Sequence, residues 1–272
     1  MGRWAEVRRD AVLFEDEAVL ALNKPAGIAV TGERHETDLV RLAAEEAGEK
    51  LFPVHRIDKV TSGVILFAKE LRYHGDLTRQ FNRRTVDKAY LAVTRTSGGP
   101  GAGAPFAALP PSGTVELPLG TGRKNRVRVA GNREDIVLSA DGRHWSLASS
   151  GGFGDKKSYP SRTDFVRAWG DGDGHDLLAV RPVTGRRHQI RVHLAWIGHP
   201  IEGDPLFDRS AADRGARCAL HAWRLAFDAA WAGGARIRLE APPGADFWGV
   251  PGARGVPDDV LDRVREPAAG RG

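Results

Sequence analysis

One cysteine, Cys218, stands in 272 residues, which excludes an intramolecular disulfide, a stapled secreted scaffold and any thiolate-based zinc cluster. A reducing cytosol is the compartment that fits this usage. No uncharged apolar run approaches the roughly 18 residues that a membrane-spanning helix requires. The segment Met1 to Asp10 is charged where a signal peptide needs an apolar stretch, and Glu6 stands where a myristoylation motif has Ser or Thr. There is no internal repeat, no Gly-x-Gly-x-x-Gly and no Walker loop, so nucleotide-cofactor enzymes lose ground. What remains is a chain that is 41% hydrophobic and 28% charged, an ordinary globular composition. Its length fits one or two domains at roughly 150 residues each. Lys and Arg number 40 against 35 Asp and Glu, a net charge of +5 that points modestly towards polyanionic partners.

Ala18 to Leu22 reads as a short buried strand stopped by Pro25 and Gly27, with Lys24 on the loop edge. Leu39, Leu42, Ala43 and Ala47 recur at helical spacing, and Asp38 and Gly48 are suited to cap a helix over Asp38 to Glu49. Val64 to Ala68 is an uninterrupted apolar strand, so Asp58 lies on a loop that enters a core strand through Thr61-Ser62-Gly63. A second helix is expected over Tyr73 to Asn82 and a strand over Ala89 to Thr94. Ser97 to Gly113, rich in Gly, Pro and Ala, reads as a surface loop. Short strands follow to Val180, with Gly170 to Gly174 as a hairpin tip. Ile190, Leu194 and Ile197 support a helix from a Thr184 cap to a Gly198 stop, which would put Arg187 and Arg191 on one face. The segment from Val250 to Gly272 reads as a charged, Gly- and Pro-rich appendage. Helix-then-strand runs of this kind indicate an α+β fold.

Two constellations carry chemistry. In His55-Arg56-Ile57-Asp58, a carboxylate beside guanidinium groups stays ionised and oriented, as a nucleophile or base must, although a structural ion pair at a turn gives the same pattern. In Thr184-Gly185-Arg186-Arg187-His188-Gln189-Ile190-Arg191-Val192-His193, basic and amide side chains are suited to grip phosphates, or to form a solvated basic face. His188 and His193 are spaced wrongly for a helical zinc pair. Asp171, Asp173 and Asp176 read as a turn, and Cys218 beside His221 as a small buried residue rather than a nucleophile.

Taken in order, Asn23-Lys24-Pro25-Ala26-Gly27, His55 to Asp58 with Thr61-Ser62-Gly63, Lys88-Ala89-Tyr90-Leu91, Thr184 to His193, Gly198-His199-Pro200-Ile201, Gly203-Asp204 and Leu220-His221-Ala222 resemble the RluA-type RNA pseudouridine synthases. The likeness covers about Val12 to Trp248. It implies an α+β catalytic fold with a mostly antiparallel sheet, no cofactor, no metal, and action on uridine in structured RNA, with ribosomal RNA favoured over transfer RNA. It makes Asp58 the catalytic aspartate, Tyr90 the active-site tyrosine and Arg191 the partner of Asp58. Arg56 would help displace the target base, and Leu220 would supply an apolar wall. Lys24, His55, Thr61, Arg186, His188 and Gln189 are expected to contact substrate. A monomer is expected, with one catalytic domain over residues 12–249 and without the small RNA-binding module that precedes many relatives. The rival readings are a non-catalytic RNA-binding or ribosome-assembly protein and an RNA-directed hydrolase.

Overall fold

A computed structural model describes residues 3–32, 36–96, 108–122, 126–148, 157–208 and 217–264. The chain divides into two compact units, Met1–Tyr90 with Leu220–Gly244, and Leu91–Ala219 with Ala245–Gly272.

The first unit opens with helix α1 (Arg3–Ala11), ahead of the expected start at Val12. Its Trp4 is buried and donates from its backbone and its indole to Glu46 and Glu49. Strands β1 (Val12–Glu15) and β2 (Val19–Lys24) form an antiparallel pair. Helix α2 (Leu39–Ala47) has the expected caps: Asp38 accepts from Arg41 N, and Gly48 is left-handed at φ 67°. Both signals are local, which is why they were readable. After the short β3 (Phe52–Pro53), strand β4 (Ser62–Ala68) runs antiparallel to β2 with every residue buried, in keeping with its unbroken apolar run. Helix α3 (Leu71–Arg83) and strand β5 (Asp87–Arg95) follow, and β5 carries the chain into the second unit.

The second unit contains β6 (Ser112–Val115), β7 (Leu119–Thr121), β8 (Val127–Val129), β9 (Ile136–Leu138), β10 (His144–Leu147), β11 (Ser158–Tyr159), β12 (Thr163–Gly170) and β13 (His175–Pro182). One sheet has the order β13-β12-β6-β10-β9, and β11, β7 and β8 form a small antiparallel sheet. The segment Gly170 to Gly174 is the tip of the β12–β13 hairpin, as its glycines imply. Of the expected loop Ser97 to Gly113, residues 97–107 lie outside the described residues, while Ser112 and Gly113 belong to β6.

Helix α4 covers Gln189–Trp196, not Thr184 to Gly198. The side chain of Gln189 explains the late start. Its Oε1 accepts from Thr184 Oγ1 and Arg186 N, and its Nε2 donates to Arg162 O and Thr163 Oγ1. This folds residues 184–188 into a turn that ends on His188 at φ 56°, a left-handed backbone that cannot continue into an α-helix. Arg187 therefore does not share a helical face with Arg191. His193 on α4 is fully buried; its Nε2 donates to Leu117 O at 2.9 Å, so its Nδ1 accepts from Thr163 Oγ1.

The chain then returns to the first unit as β14 (Leu220–Ala229) and β15 (Ala235–Glu240). Strand β14 pairs parallel with β4 and antiparallel with β15, completing the order β1-β2-β4-β14. Gly63, at φ 105°, faces Ala222 across the parallel pair; a Cβ there would lie 2.2 Å from Ala222 O. Beyond β15, helices α5 (Ala245–Trp248) and α6 (Val260–Arg263) belong to the second unit. Gly252 donates to Glu202 at 2.8 Å and Val260 is buried, so residues 250–264 are packed structure rather than an appendage. Residues 265–272 lie outside the described residues. No helix among the described residues is long and apolar enough to cross a membrane.

Two stability predictions follow from these contacts. Gly63→Ala adds both an unfavourable φ and a collision with backbone, and should destabilise by about 3 kcal/mol or more. Gly27→Ala, at φ 90° with open space around it, should cost only about 1–2 kcal/mol; denaturant melts of the two variants distinguish them. Burial lowers the His193 imidazole to about 4, and burial with the Lys88 charge lowers His55 to about 3. The unfolded chain therefore binds protons that the folded chain refuses once pH drops below about 6.5. Stability should be fully present above that pH and fall on acidification towards pH 4, by up to about 1.4 kcal/mol per pH unit for His193. In His193→Gln, melts across this range should show a shallower slope.

Candidate active site

The loop from Val54 to Gly63, which carries Asp58, is held by contacts along its length. His55 Nε2 accepts from Leu66 N at 3.0 Å, and its ring stacks on Phe81 with centroids 4.5 Å apart. A protonated imidazole would lose that acceptor. His55 is thus a neutral anchor of the loop on β4, where the motif had indicated a substrate contact. Asp58 O accepts from Thr61 N at 3.0 Å and closes a turn. Thr61 is buried, with no hydrogen-bond partner for its Oγ1.

Ser62 and Gly63 lock the end of the loop. His221 Nε2 donates to Ala241 O at 2.9 Å, so Nδ1 is the acceptor for the Ser62 hydroxyl at 2.7 Å. The next residue, Gly63, allows the close approach to Ala222 described above. The three-residue motif Thr61-Ser62-Gly63 thereby pins the Asp58 loop to β14.

Lys24 is not on a loop edge. It is completely buried at the end of β2, and its Nζ donates to Pro25 O and Ile28 O at 2.8 Å and to Lys59 O at 3.3 Å. Gly27 N donates to the same Lys59 carbonyl. An ammonium in so dry a place needs several acceptors, and three carbonyls supply them. Lys24 therefore staples the Pro25-to-Ile28 turn to the residue that follows Asp58.

Asp58 itself is half-buried and Arg56 is exposed. Tyr90, on β5, packs against the core of the first unit. Burial, followed by the negative charge of Asp58, raises the Tyr90 phenol well above its ordinary value. Tyr90 is accordingly a neutral hydroxyl at physiological pH, able to donate a hydrogen bond or stack but not to act as a phenolate base. Leu220 is buried at the first position of β14.

In the second unit, Arg191 on α4 is 3% exposed. Its Nε and Nη2 donate to the two oxygens of Asp204 at 2.7 and 2.8 Å, a bidentate pair with both members buried. Asp204 also accepts from the backbone N–H groups of Leu206 and Phe207. The Phe207 ring lies 5.5 Å from the guanidinium and edge-on to His188. Arg186 is exposed over the ring of Tyr159, and Gln189 is buried in the network that starts α4. Asp204 was present in the quoted Gly203-Asp204 motif, but its role was not legible. A buried guanidinium needs a buried carboxylate, and the only available sequence signal is an Asp followed by a Pro-containing turn.

The sequence profile described as RNA pseudouridylate synthase matches residues 18–196. Three curated relatives are similar over most of this chain. The ribosomal large subunit pseudouridine synthase D of Nitrosomonas europaea is 33% identical over 79% of the chain and 56% of its own length. The tRNA pseudouridine synthase C of Pasteurella multocida is 30% identical over 79% of the chain and 84% of its own length. The dual-specificity RNA pseudouridine synthase RluA of Vibrio vulnificus is 33% identical over 82% of the chain and 78% of its own length. The chain thus spans little more than half of the Nitrosomonas protein. Among solved structures, human RNA pseudouridylate synthase domain containing 4 shares the fold at a TM-score of 0.66 and 22% identity, covering 90% of this chain and 92% of that one. The matched profile extends from Ala18, just before β2, to the end of α4, taking in Asp58, Tyr90 and Arg191, and the chain belongs to the RNA pseudouridylate synthase family.

Proposed function

We propose that the protein isomerises specific uridines to pseudouridine in structured RNA, with Asp58, Tyr90 and Arg191 carrying the reaction. One observation supports this most. Asp58 is the accessible carboxylate of a loop whose neighbours are committed to holding it: His55 and Ser62 by hydrogen bonds, Gly63 by packing, and Lys59 through the Lys24 ammonium. A structural ion pair needs no such support, whereas a reacting group must be held to within a fraction of an ångström.

The target base must first leave its stack, which costs roughly a few kcal/mol. Arg56, exposed two residues before Asp58, is the residue that the resemblance assigns to helping displace that base. Asp58 then opens the C1′–N1 bond, by attack on the sugar or by removal of a sugar proton. The freed uracil turns and rejoins C1′ through C5. The C5 proton leaves and N1 gains one, so the reaction balances without oxidant, reductant or cofactor. Because the Tyr90 phenol stays protonated, its part is to stack on or hydrogen-bond the base, and a carboxylate is the better acceptor for the C5 proton. Arg191 is the cation that the resemblance pairs with Asp58, and Asp204 fixes its fork. The choice of RNA is proposed as ribosomal over transfer RNA, in line with the name of the Nitrosomonas relative.

Asp58→Asn should abolish tritium release from RNA carrying 5-tritiated uridine while leaving RNA affinity within a few-fold of the parent; continued release would remove Asp58 from the mechanism. A hydrolase would liberate uracil in the same assay, and a binding-only protein would release nothing even with Asp58 intact. Arg191→Lys keeps the charge but loses the planar fork, so the rate should drop by about a hundredfold or more. Asp204→Asn leaves a buried guanidinium without its counter-charge and should lower stability by about 3–5 kcal/mol, read by denaturant melts.

A further inference from the structure

The second unit holds a cavity of about 430 Å³, lined by Gly122, Val127, Trp196, Leu206 and Phe207, with Arg126, Arg128, Arg187 and His188 completing its walls. That volume falls within the roughly 300–1,000 Å³ of small-ligand clefts. No carboxylate lines it among the described residues, and its three arginines are exposed. One wall is rigid. Arg128 donates to Val129 O and Gly131 O and lies 5.9 Å from the Trp196 ring, and Arg133 donates to Ala195 O and lies 5.8 Å from the same ring. Leu206 and Phe207 also line it, and their backbone N–H groups are held by Asp204, the carboxylate that also holds Arg191.

Flat aromatic faces with arginines at the mouth match a ligand that has a planar unsaturated ring joined to phosphate. We propose that this cavity is a second nucleobase site, which takes an unpaired base of the substrate RNA other than the uridine being isomerised, with Arg126, Arg128 and Arg187 on the adjoining phosphates. The proposal rests on RNA being the substrate. Through Asp204, occupation of the site is mechanically linked to the position of Arg191, so the same base both selects the RNA and steadies the arginine.

The test uses a hairpin RNA with an all-uridine loop, and variants of it in which each loop nucleotide in turn is made abasic. Base stacking on aromatic side chains is worth about 1–3 kcal/mol, so one abasic position outside the target should weaken binding to the parent protein by roughly tenfold in anisotropy titrations. In Leu206→Trp, a change at a residue that is 53% exposed, the added ring fills the cavity and that abasic penalty should vanish. Trp196→Ala, which removes the wall instead, should erase the same penalty. Equal abasic penalties in all three proteins would overturn the proposal. A free mononucleotide offers the same chemistry, so adenosine 5′-monophosphate is titrated as a competitor. It should not displace the hairpin; saturable binding of it that is lost in Leu206→Trp, without any abasic effect, would replace the RNA site with a small-molecule site. Tritium release by the parent protein is measured alongside. Absence of turnover with the abasic coupling intact would refute the isomerase reading alone.

Discussion

The buried pair of Arg191 and Asp204 is the interaction on which the arrangement around α4 in the second unit depends. A guanidinium inside protein is tolerable only when its charge and its hydrogen-bond fork are both met, and Asp204 meets both with two short bonds. The same carboxylate orders the turn through Leu206 and Phe207. Remove it and three things lose their position together: the arginine, the aromatic ring over it and one wall of the cavity. Such a pair contributes more to the placement of groups than to net stability, because desolvation consumes most of the attraction.

In the first unit the equivalent constraint is distributed. Around Asp58 an imidazole, a hydroxyl, a glycine and a buried ammonium each remove one degree of freedom from the loop. The functional motifs in the sequence are therefore mostly scaffold. Between His55 and Gly63, Arg56 is exposed and Asp58 half-buried, while His55, Ser62 and Gly63 are committed to contacts that hold the loop.

Local signals were readable and long-range ones were not. The caps of α2, the buried run of β4 and the β12–β13 tip depend on neighbours a few residues away. The start of α4 depended on where the Gln189 amide would find partners, two of which, Arg162 and Thr163, are more than twenty residues distant. Lys24 differs for a related reason: its charge suggests a surface, and the carbonyls of Pro25, Ile28 and Lys59 make an interior possible. His55 and Gln189 stand in chemically suggestive motifs but spend their hydrogen-bonding groups on backbone and neighbours. At the candidate site, the resemblance singled out the residues, and the structure shows which of them are engaged in holding the fold: Lys24, His55 and Gln189.

The Ser62 hydroxyl meets its imidazole across 159 positions of chain. On a ribosome adding roughly 5–20 residues per second, β4 must wait about ten to thirty seconds for β14 to be synthesised. Throughout that interval one edge of a largely apolar strand lacks its final neighbour, and the nascent polypeptide is open to mispairing and to chaperone capture. Because the late strand is also the one that holds the Asp58 loop, a truncated translation product would have Asp58 but not the contacts that set its loop.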